Sequence, residues 1–305
     1  MQSLKLTIAY DGTNYHGWQV QANGNSIQSE IQKAFGRILN ARVPVTASGR
    51  TDSGVHALGQ VASCTVDTHL GVDVLQRALN SKLPTDIRIL RVERARPGFH
   101  AIKDAVSKAY RYRIWNSRTG DVFLRNYACH VPQRLDLQAM SAAMVHFRGT
   151  QDFASFQSAG SPRKTTVRTM LSATLTTSPA RSTSDAGDSH DVGDSNQDQV
   201  VVESPPTPGS TTEGNPFFES FAGKTIDIVL EANGFLYNMV RNIVGTLIEV
   251  GKGSRSPDSL PALFASRDRT QAGFTAPPQG LALLHVAYPP ETLFTSETEE
   301  SVEQG

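Results

Sequence analysis

The sequence of 305 residues predicts an α+β fold, in which amphipathic helices alternate with short strands. Three observations carry this prediction. The run LKLTIAY alternates apolar and polar residues, as a strand with one buried face does. The run SIQSEIQKAFGRIL places its apolar residues on one face of a helix. Such elements interleave along most of the chain, which indicates two α+β layers, each a sheet covered on one face by helices.

The pattern of apolar and polar residues over positions 1–95 predicts the order strand, helix, strand, turn, strand, helix, strand. Ser26 or Asn25 can cap the first helix, and Pro84 closes the second. The turn, GRTDSG, lies between the strand runs VPVTAS and GQVASCTV. We predict these elements at 4–10, 26–39, 43–48, 59–66, 72–83 and 87–95.

The second half of the sequence resembles this plan loosely. In its first strand, KAYRYRIWN, Tyr110 and Tyr112 face one side while Arg111 and Arg113 face the other. Its longest helix is predicted in FLYNMVRNIVGTLIEVG. We predict strands at 108–116, 167–175, 225–235 and 281–289, and helices at 136–149 and 235–251.

The net charge of zero hides an uneven distribution of charge. Residues 178–216 carry seven acids and one Arg, and residues 291–305 carry five Glu and no base. Both segments are poor in large apolar residues, so we expect a disordered acidic insertion and a disordered acidic tail. The rest of the chain holds 28 Lys and Arg against 17 Asp and Glu. This excess of +11 suits a polyanionic partner such as nucleic acid.

The sequence disfavours several other classes of protein. No apolar run approaches the ~18 residues of a membrane span, and the start, MQSLKLTIAYDG, lacks the pattern of a signal peptide. Cys64 and Cys129 offer neither a disulfide framework nor the spacing of a zinc site. No P-loop or GxGxxG run is present, so we expect no nucleotide cofactor. No spacing typical of metal ligands lies near the motifs, so we expect no metal. We expect a soluble, cytoplasmic protein.

Four stretches place charged residues among glycine or aromatic residues: YDGTNYHGWQ (10–19), GRTDSGVHALGQ (49–60), KAYRYRIWN (108–116) and NMVRNIVG (238–245). Each alone has a structural explanation, because acids are common in turns, tyrosines pack on strands, and an arginine in an apolar helix often pairs with a carboxylate. Their combination, in this order and spacing, resembles the TruA family of tRNA pseudouridine synthases.

The resemblance runs from about Lys5 to Pro289, apart from the acidic insertion. Its most specific element is GRTDSGVHALGQ, which matches the family's GRTDxGVHAxGQ signature nearly residue for residue. FHA at 99–101, Tyr-Arg-Tyr at 110–112 and MVRNIVG match further family motifs. Ser53 stands where many members carry Ala, a change between small residues that fits the turn.

This resemblance implies that the chain isomerises uridine to pseudouridine in the anticodon stem-loop of tRNA, at the family's positions 38 to 40. It implies two similar ferredoxin-like halves, each a sheet with helices, around a central basic cleft that binds RNA, and a homodimer. We place the halves at 1–104, which carries the catalytic turn, and at 105–290. The reaction needs no cofactor, because nothing is oxidised and no group is added or lost.

The resemblance also assigns roles to individual residues. Asp52 matches the family's catalytic aspartate, and whether it attacks the sugar, the base or a proton stays open. Arg241 matches the basic residue that pairs with this aspartate and lowers its pKa. Tyr110 matches the tyrosine that binds the extruded base. Arg50 is expected to contact RNA phosphate, and His56 to shape the turn.

Phosphate contacts should supply most of the affinity for RNA. We expect several basic residues to line one face and to contribute: Lys103, Lys108, Arg111, Arg113, Arg163, Lys164 and Arg168.

The residues alone leave two other functions open. The same fold could clamp RNA without catalysis while Asp52 merely caps its turn. A nuclease could instead use carboxylates to hold a metal, although no DxD or ExxH spacing lies near the motifs.

Overall fold

The structure, a computed structural model, describes residues 1–22, 24–160, 165–179 and 223–293. Its strands form one ten-stranded sheet. In chain order these strands are β1 (Gln2–Tyr10), β2 (Thr46–Ala47), β3 (His56–Val66), β4 (Ile87–Arg94), β5 (Ser107–Asn116), β6 (Cys129–Val131), β7 (Gly149–Asp152), β8 (Val167–Pro179), β9 (Lys224–Ala232) and β10 (Leu281–Ala287).

The middle of the sheet joins the two predicted halves of the chain. Eight strands follow the order β4–β1–β3–β10–β5–β9–β8–β7, while β2 pairs with β3 and β6 pairs with β5. Strand β10 runs parallel to β3, where Ala282 pairs with His56 and Leu283 with Ala57. The same strand runs antiparallel to β5, where Leu283 pairs with Tyr110. Strand β10 therefore lies between β3, which follows the GRTDSG turn, and β5, which carries Tyr110.

Five α-helices accompany the sheet in the described ranges: α1 (Ile27–Leu39), α2 (Val72–Lys82), α3 (Leu137–Met144), α4 (Met239–Gly251) and α5 (Leu260–Ser266). As predicted, the side chain of Ser26 caps α1, since it accepts a hydrogen bond from the backbone N–H of Ser29. None of these helices is long and apolar enough to cross a membrane.

One hydrophobic core connects the helices with the sheet. Leu6 of β1 and Tyr112 of β5 are fully buried, and they belong to the same core cluster as Phe35 of α1 and Ile243 of α4. The predicted α+β class is thus confirmed. The similarity of the two halves, with a boundary at residue 104, stays a prediction.

Some elements differ from the sequence prediction. The strand predicted at 43–48 is reduced to the two residues of β2, and Pro44 cannot donate a ladder hydrogen bond there. The helix predicted over 235–251 begins at Met239, because Asn238 has a left-handed backbone with φ 57°. Strands β6 and β7 and helix α5 escaped prediction because each is too short to show a clear period.

The predicted acidic insertion begins inside a strand. Ser178 and Pro179 belong to β8 and pair with Thr225 and Lys224 of β9. Residues 180–216 lie outside the described residues.

The predicted acidic tail also begins in ordered structure. Leu293 forms a β-bridge with Ala95, just after β4. Residues 294–305 lie outside the described residues.

Candidate active site

Asp52 lies in a tight turn that follows β2 and leads into β3. The backbone N–H of Val55 donates to the carbonyl of Asp52 at 3.1 Å, which closes the turn. Gly54 has φ 75° there, a conformation that glycine adopts without a steric penalty. The side chain of Asp52 is 35% exposed. The carboxylate is therefore partly withdrawn from water and still accessible to a substrate.

The first motif, YDGTNYHGW, supports this turn from behind. The N–H of Trp18 donates to the carbonyl of Thr51 at 3.0 Å, and the N–H of Gly54 donates to the carbonyl of Tyr15 at 3.4 Å. The hydroxyl of Ser53 donates to the same Tyr15 carbonyl at 3.1 Å. Hydrogen bonds from a separate segment thus fix the backbone on both sides of the aspartate.

Two glycines of this motif allow the close approach. A Cβ atom on Gly17 would lie 2.5 Å from the carbonyl oxygen of Thr51, and one on Gly12 would lie 2.0 Å from that of Val55. Gly17 also has φ 87°. Any side chain at either position would push the turn away from its support.

A buried polar network lies beneath the turn. The hydroxyls of Tyr10 and Thr51 hydrogen-bond at 2.7 Å, and the amide of Gln60 donates to the carbonyl of Gly49 at 2.9 Å. The hydroxyl of Ser48 donates to the Gln60 side chain at 2.9 Å. Burial raises the pKa of Tyr10 to about 12, so its hydroxyl stays neutral. These bonds connect both ends of the GRTD sequence to β1 and β3.

His56 anchors the end of the turn where β3 begins. Its Nδ1 accepts the backbone N–H of Gly12 at 3.1 Å and lies 3.1 Å from the carboxylate of Asp11. Its Nε2 lies 2.8 Å from the carbonyl oxygen of Asn126. The ring thereby ties the turn to two other segments, as expected of a residue that shapes the turn.

Arg241, on the first turn of α4, approaches Asp52 from the other half of the chain. Its Nη1 lies 3.7 Å from Oδ2 of Asp52, and its side chain is 15% exposed. Nε donates to the carbonyl of Ala276 at 2.6 Å, and Nη1 donates to Oδ1 of Asn238 at 3.0 Å. The guanidinium is therefore held in place beside the carboxylate.

Burial and Arg241 act on the Asp52 carboxyl in opposite directions. Burial raises its pKa, and the positive charge of Arg241 lowers it again, with burial the larger effect. The net result is a pKa above the ordinary value of an aspartate. The proton affinity of Asp52 thus depends on burial first and on one neighbouring cation second.

Tyr110 is buried on β5, with 8% of its surface exposed. Its ring meets the ring of Phe235 edge to face, with centroids 5.0 Å apart. Burial, the hydroxyl of Tyr10 and the charge of Asp52 all raise the pKa of Tyr110. The tyrosine therefore stays neutral, and it interacts electrostatically with Asp52.

A cleft of about 740 Å³ opens around Asp52. Of the residues predicted to bind the substrate, Arg50 and Arg241 line this cleft and Tyr110 does not. The sequence prediction did not name six further lining residues: His16, Gln19, Gln21, Gly160, Tyr237 and Pro278. Two of them could have been proposed from their place in the sequence, because His16 lies in the first of the four motifs and Tyr237 directly precedes the last one.

Two of the basic residues predicted to contact phosphate lie on the other side of β5. Arg111 and Arg113 alternate with Tyr110, so they face away from it. Arg113 forms a two-point ion pair with Asp227, at 2.8 Å and 2.6 Å. Nε of Arg111 is buried and has no hydrogen-bond partner within the described ranges.

The other basic residues occupy differing environments. Lys103 is exposed, whereas Arg168 is only 9% exposed and is therefore not a surface residue. The ammonium group of Lys108 donates to the carbonyl of Ser48, beside the GRTD sequence. Residues 163–164 lie outside the described residues. The expectation that several of these basic residues line one face stays a prediction.

A metal site was not expected from the sequence. Within the described ranges, no group of three or more His, Cys, Asp and Glu side chains is placed to hold a metal ion. Cys64 and Cys129 are both free and buried.

Comparison with known proteins gives consistent matches along the chain. A family model described as tRNA pseudouridine synthase matches residues 6–102 and 143–289. A protein named tRNA pseudouridine synthase A from Ruminiclostridium cellulolyticum is 39% identical over 288 residues, covering 94% of this chain and 100% of the relative. Proteins of the same name from Moorella thermoacetica and Syntrophomonas wolfei are 39% and 37% identical, covering 94% and 96% of this chain and all of each relative.

Proposed function

The chain belongs to the tRNA pseudouridine synthase family, and from this premise we propose that it isomerises uridines at positions 38 to 40 of the anticodon stem-loop, with Asp52 as the catalytic residue. It is an isomerase of the TruA type that acts on tRNA. The target positions rest on the resemblance of the four motifs.

The observation that carries the catalytic assignment is the position of the Asp52 carboxylate. It faces Arg241 across 3.7 Å inside an open cleft, and its pKa responds to both burial and that cation. A turn that only needed a cap would satisfy its carboxylate with nearby backbone N–H groups. Nucleophiles and bases are instead found where environment and a charged neighbour tune the pKa.

The reaction breaks the bond from C1′ of the ribose to N1 of uracil and forms a bond from C1′ to C5. The uracil must turn between these steps, and the proton on C5 leaves while N1 gains one, so atoms and electrons balance. An ionised Asp52 can provide the electron pair that the rearrangement needs, and the charge of Arg241 favours this ionised form against the effect of burial.

Tyr110 and Arg50 are proposed to handle the RNA. The target uridine must leave its stack to reach Asp52, and an extruded base is commonly held against an aromatic ring. Tyr110 provides a ring that its contact with Phe235 holds in place. Arg50 lines the cleft and is exposed, so it can contact phosphate, which dominates affinity for nucleic acid.

Three further properties are proposed from the resemblance and the sequence. The halves 1–104 and 105–290 form two similar units around the cleft, the enzyme is a homodimer, and it acts in the cytoplasm. Light scattering on the purified chain measures its oligomeric state directly.

The test of the proposed function is tritium release from tRNA labelled at C5 of uridine, without added metal. Asp52→Asn should abolish release while tRNA affinity stays within about tenfold, because phosphate contacts dominate binding. Asp67→Asn is the matched control, since that side chain is 84% exposed and directly follows β3 at the end of the strand away from the turn. Transcripts with a single uridine at 38, 39 or 40 identify the positions used.

Two results would overturn the proposal. Release by Asp52→Ala at a few per cent of the unmodified rate would remove Asp52 from the chemistry. Modification confined to uridines outside the anticodon stem-loop would refute the target.

A further inference from the structure

Asn238, directly before α4, has an unusual backbone conformation. Its φ of 57° lies in the left-handed region, which non-glycine residues seldom adopt. Only three non-glycine residues in the described ranges have positive φ, and the other two are Asn40 and Arg267. Such outliers persist where the surrounding structure holds them, and they often mark functional sites.

The side chain of Asn238 does not cap the helix that it precedes. An asparagine at this position ordinarily accepts a backbone N–H of the first helical turn, and here no such bond is formed. Its Oδ1 instead accepts Nη1 of Arg241 at 3.0 Å. Its Nδ2 donates to the hydroxyl of Ser158 at 3.2 Å, which fixes the orientation of the amide.

Two acceptors together determine where the guanidinium of Arg241 lies. The carbonyl of Ala276 accepts a hydrogen bond from Nε at 2.6 Å, and Oδ1 of Asn238 accepts one from Nη1. Nη1 is also the nitrogen that faces Asp52. Because the Arg241–Asp52 separation of 3.7 Å is too long for a hydrogen bond, the carboxylate does not hold the arginine by itself. Without Asn238 the Nη1 end is free to swing about the Nε contact.

We infer that Asn238 is a positioning residue for catalysis, which holds Nη1 of Arg241 toward the carboxylate of Asp52. The inference rests on the proposed roles of those two residues. Asn238 touches neither the substrate nor Asp52 in this proposal, and it acts through the arginine. The segment that contains Ser158 thereby connects to the catalytic aspartate through a chain of side-chain contacts.

This arrangement has a consequence for the protonation of Asp52. An arginine that swings away lowers the pKa of the carboxyl less, and burial then raises that pKa further. Fewer molecules hold Asp52 ionised at a given pH. The acidic limb of the rate profile should therefore move to higher pH.

The test is Asn238→Gly, because glycine adopts the left-handed conformation freely and removes only the side chain. We expect the single-turnover rate constant to fall about tenfold and the affinity for tRNA to change less than about twofold, as for loss of a supporting contact. The acidic limb of the pH profile should shift upward. Asn238→Asp retains an acceptor for Nη1, so its rate at high pH should return toward that of the unmodified enzyme.

Asn40→Gly is the matched control. Asn40 ends α1 with φ 50°, in the same backbone conformation, and it lies outside the cleft. This variant should keep both the rate and the pH profile. If Asn238→Gly changes thermal stability as Asn40→Gly does but leaves the rate and the pH profile alone, Asn238 is structural only and the inference is overturned. An active Asp52→Asn would overturn the proposed function instead, whatever the Asn238 variants do.

Discussion

Nη1 of Arg241 lies 3.7 Å from Oδ2 of Asp52, although the two residues come from opposite ends of the chain. Asp52 lies in the turn that leads into β3, and Arg241 lies on α4, which shares a core with β5. Strand β10 holds β3 and β5 together, because it pairs with both. The fold thus creates the pair from two segments that are distant in the sequence, and neither segment contains the candidate site alone.

Removal of the cation should shift the pH dependence of the enzyme. In Arg241→Leu the pKa of Asp52 rises further, because burial then acts without the opposing charge. The fraction of ionised Asp52 falls at neutral pH and recovers as the pH rises. We expect the acidic limb of the rate profile to move to higher pH by about 1–3 units, the range over which a nearby opposite charge shifts a pKa, so that the lost rate is regained as the pH rises. Single-turnover rates across the pH range measure this.

The control for that experiment uses a second arginine that pairs within the same region. Arg255 lies 3.0 Å from Glu249 of α4 and does not line the cleft. Arg255→Leu should retain the pH profile. An unchanged profile in Arg241→Leu would show that this arginine does not set the ionisation of Asp52.

The ring of Tyr110 should matter more than its hydroxyl. Tyr110→Leu is expected to lower kcat/KM about 10- to 100-fold, because stacking of a base on an aromatic ring contributes about 1–3 kcal/mol. Tyr110→Phe keeps the ring and should lose only a few fold. Steady-state kinetics with the anticodon stem-loop as substrate distinguish the two variants.

Tyr288 is the matched control for Tyr110. It also packs edge to face on a phenylalanine, Phe99, and its hydroxyl donates to the carbonyl of Ala101 at 2.7 Å. Tyr288→Leu should reduce thermal stability without changing kcat/KM. Equal losses in the Phe and Leu variants of Tyr110 would argue against stacking.

The packing of the first motif against the turn that carries Asp52 can be tested by adding one methyl group at Gly17. In Gly17→Ala the new Cβ meets the carbonyl oxygen of Thr51, and the turn must shift. A displacement of about 1 Å in a site can lower the rate about 100-fold. Gly98→Ala is the control, because Gly98 has a similar φ of 80° with no atom within 4 Å of its Cβ. Both variants bear a similar backbone strain, so only Gly17→Ala should lose turnover. Equal turnover in the two variants would contradict this role for the first motif.

The sequence predicted much of the fold but less of the site. The regular period of α1 and of β1 reflects local packing on one face, so it can be read directly. The start of α4 was misplaced because the left-handed backbone of Asn238 depends on contacts with distant groups, Ser158 among them. The close approach of Gly17 to Thr51 is likewise a long-range backbone contact without a periodic signal. The candidate catalytic residues were identified by family resemblance, and the structure adds the distances between them.

Removal of residues 180–216 should leave turnover nearly unchanged. Strands β8 and β9 are antiparallel neighbours whose ends pair at Pro179 and Lys224, so a short Gly-Ser linker in place of this segment can keep their register.

The segment carries seven acids and one Arg, and this charge should weakly repel tRNA. The deletion should therefore tighten tRNA binding slightly at low salt, and the difference should fade as salt screens the charge. The entropic cost of bringing the two ends of a loop together is lower for a shorter loop, so the thermal stability of the deletion variant should stay the same or rise slightly. Turnover and tRNA affinity at two salt concentrations measure these effects. A folded deletion variant that loses turnover tenfold or more would show instead that the segment takes part in substrate handling.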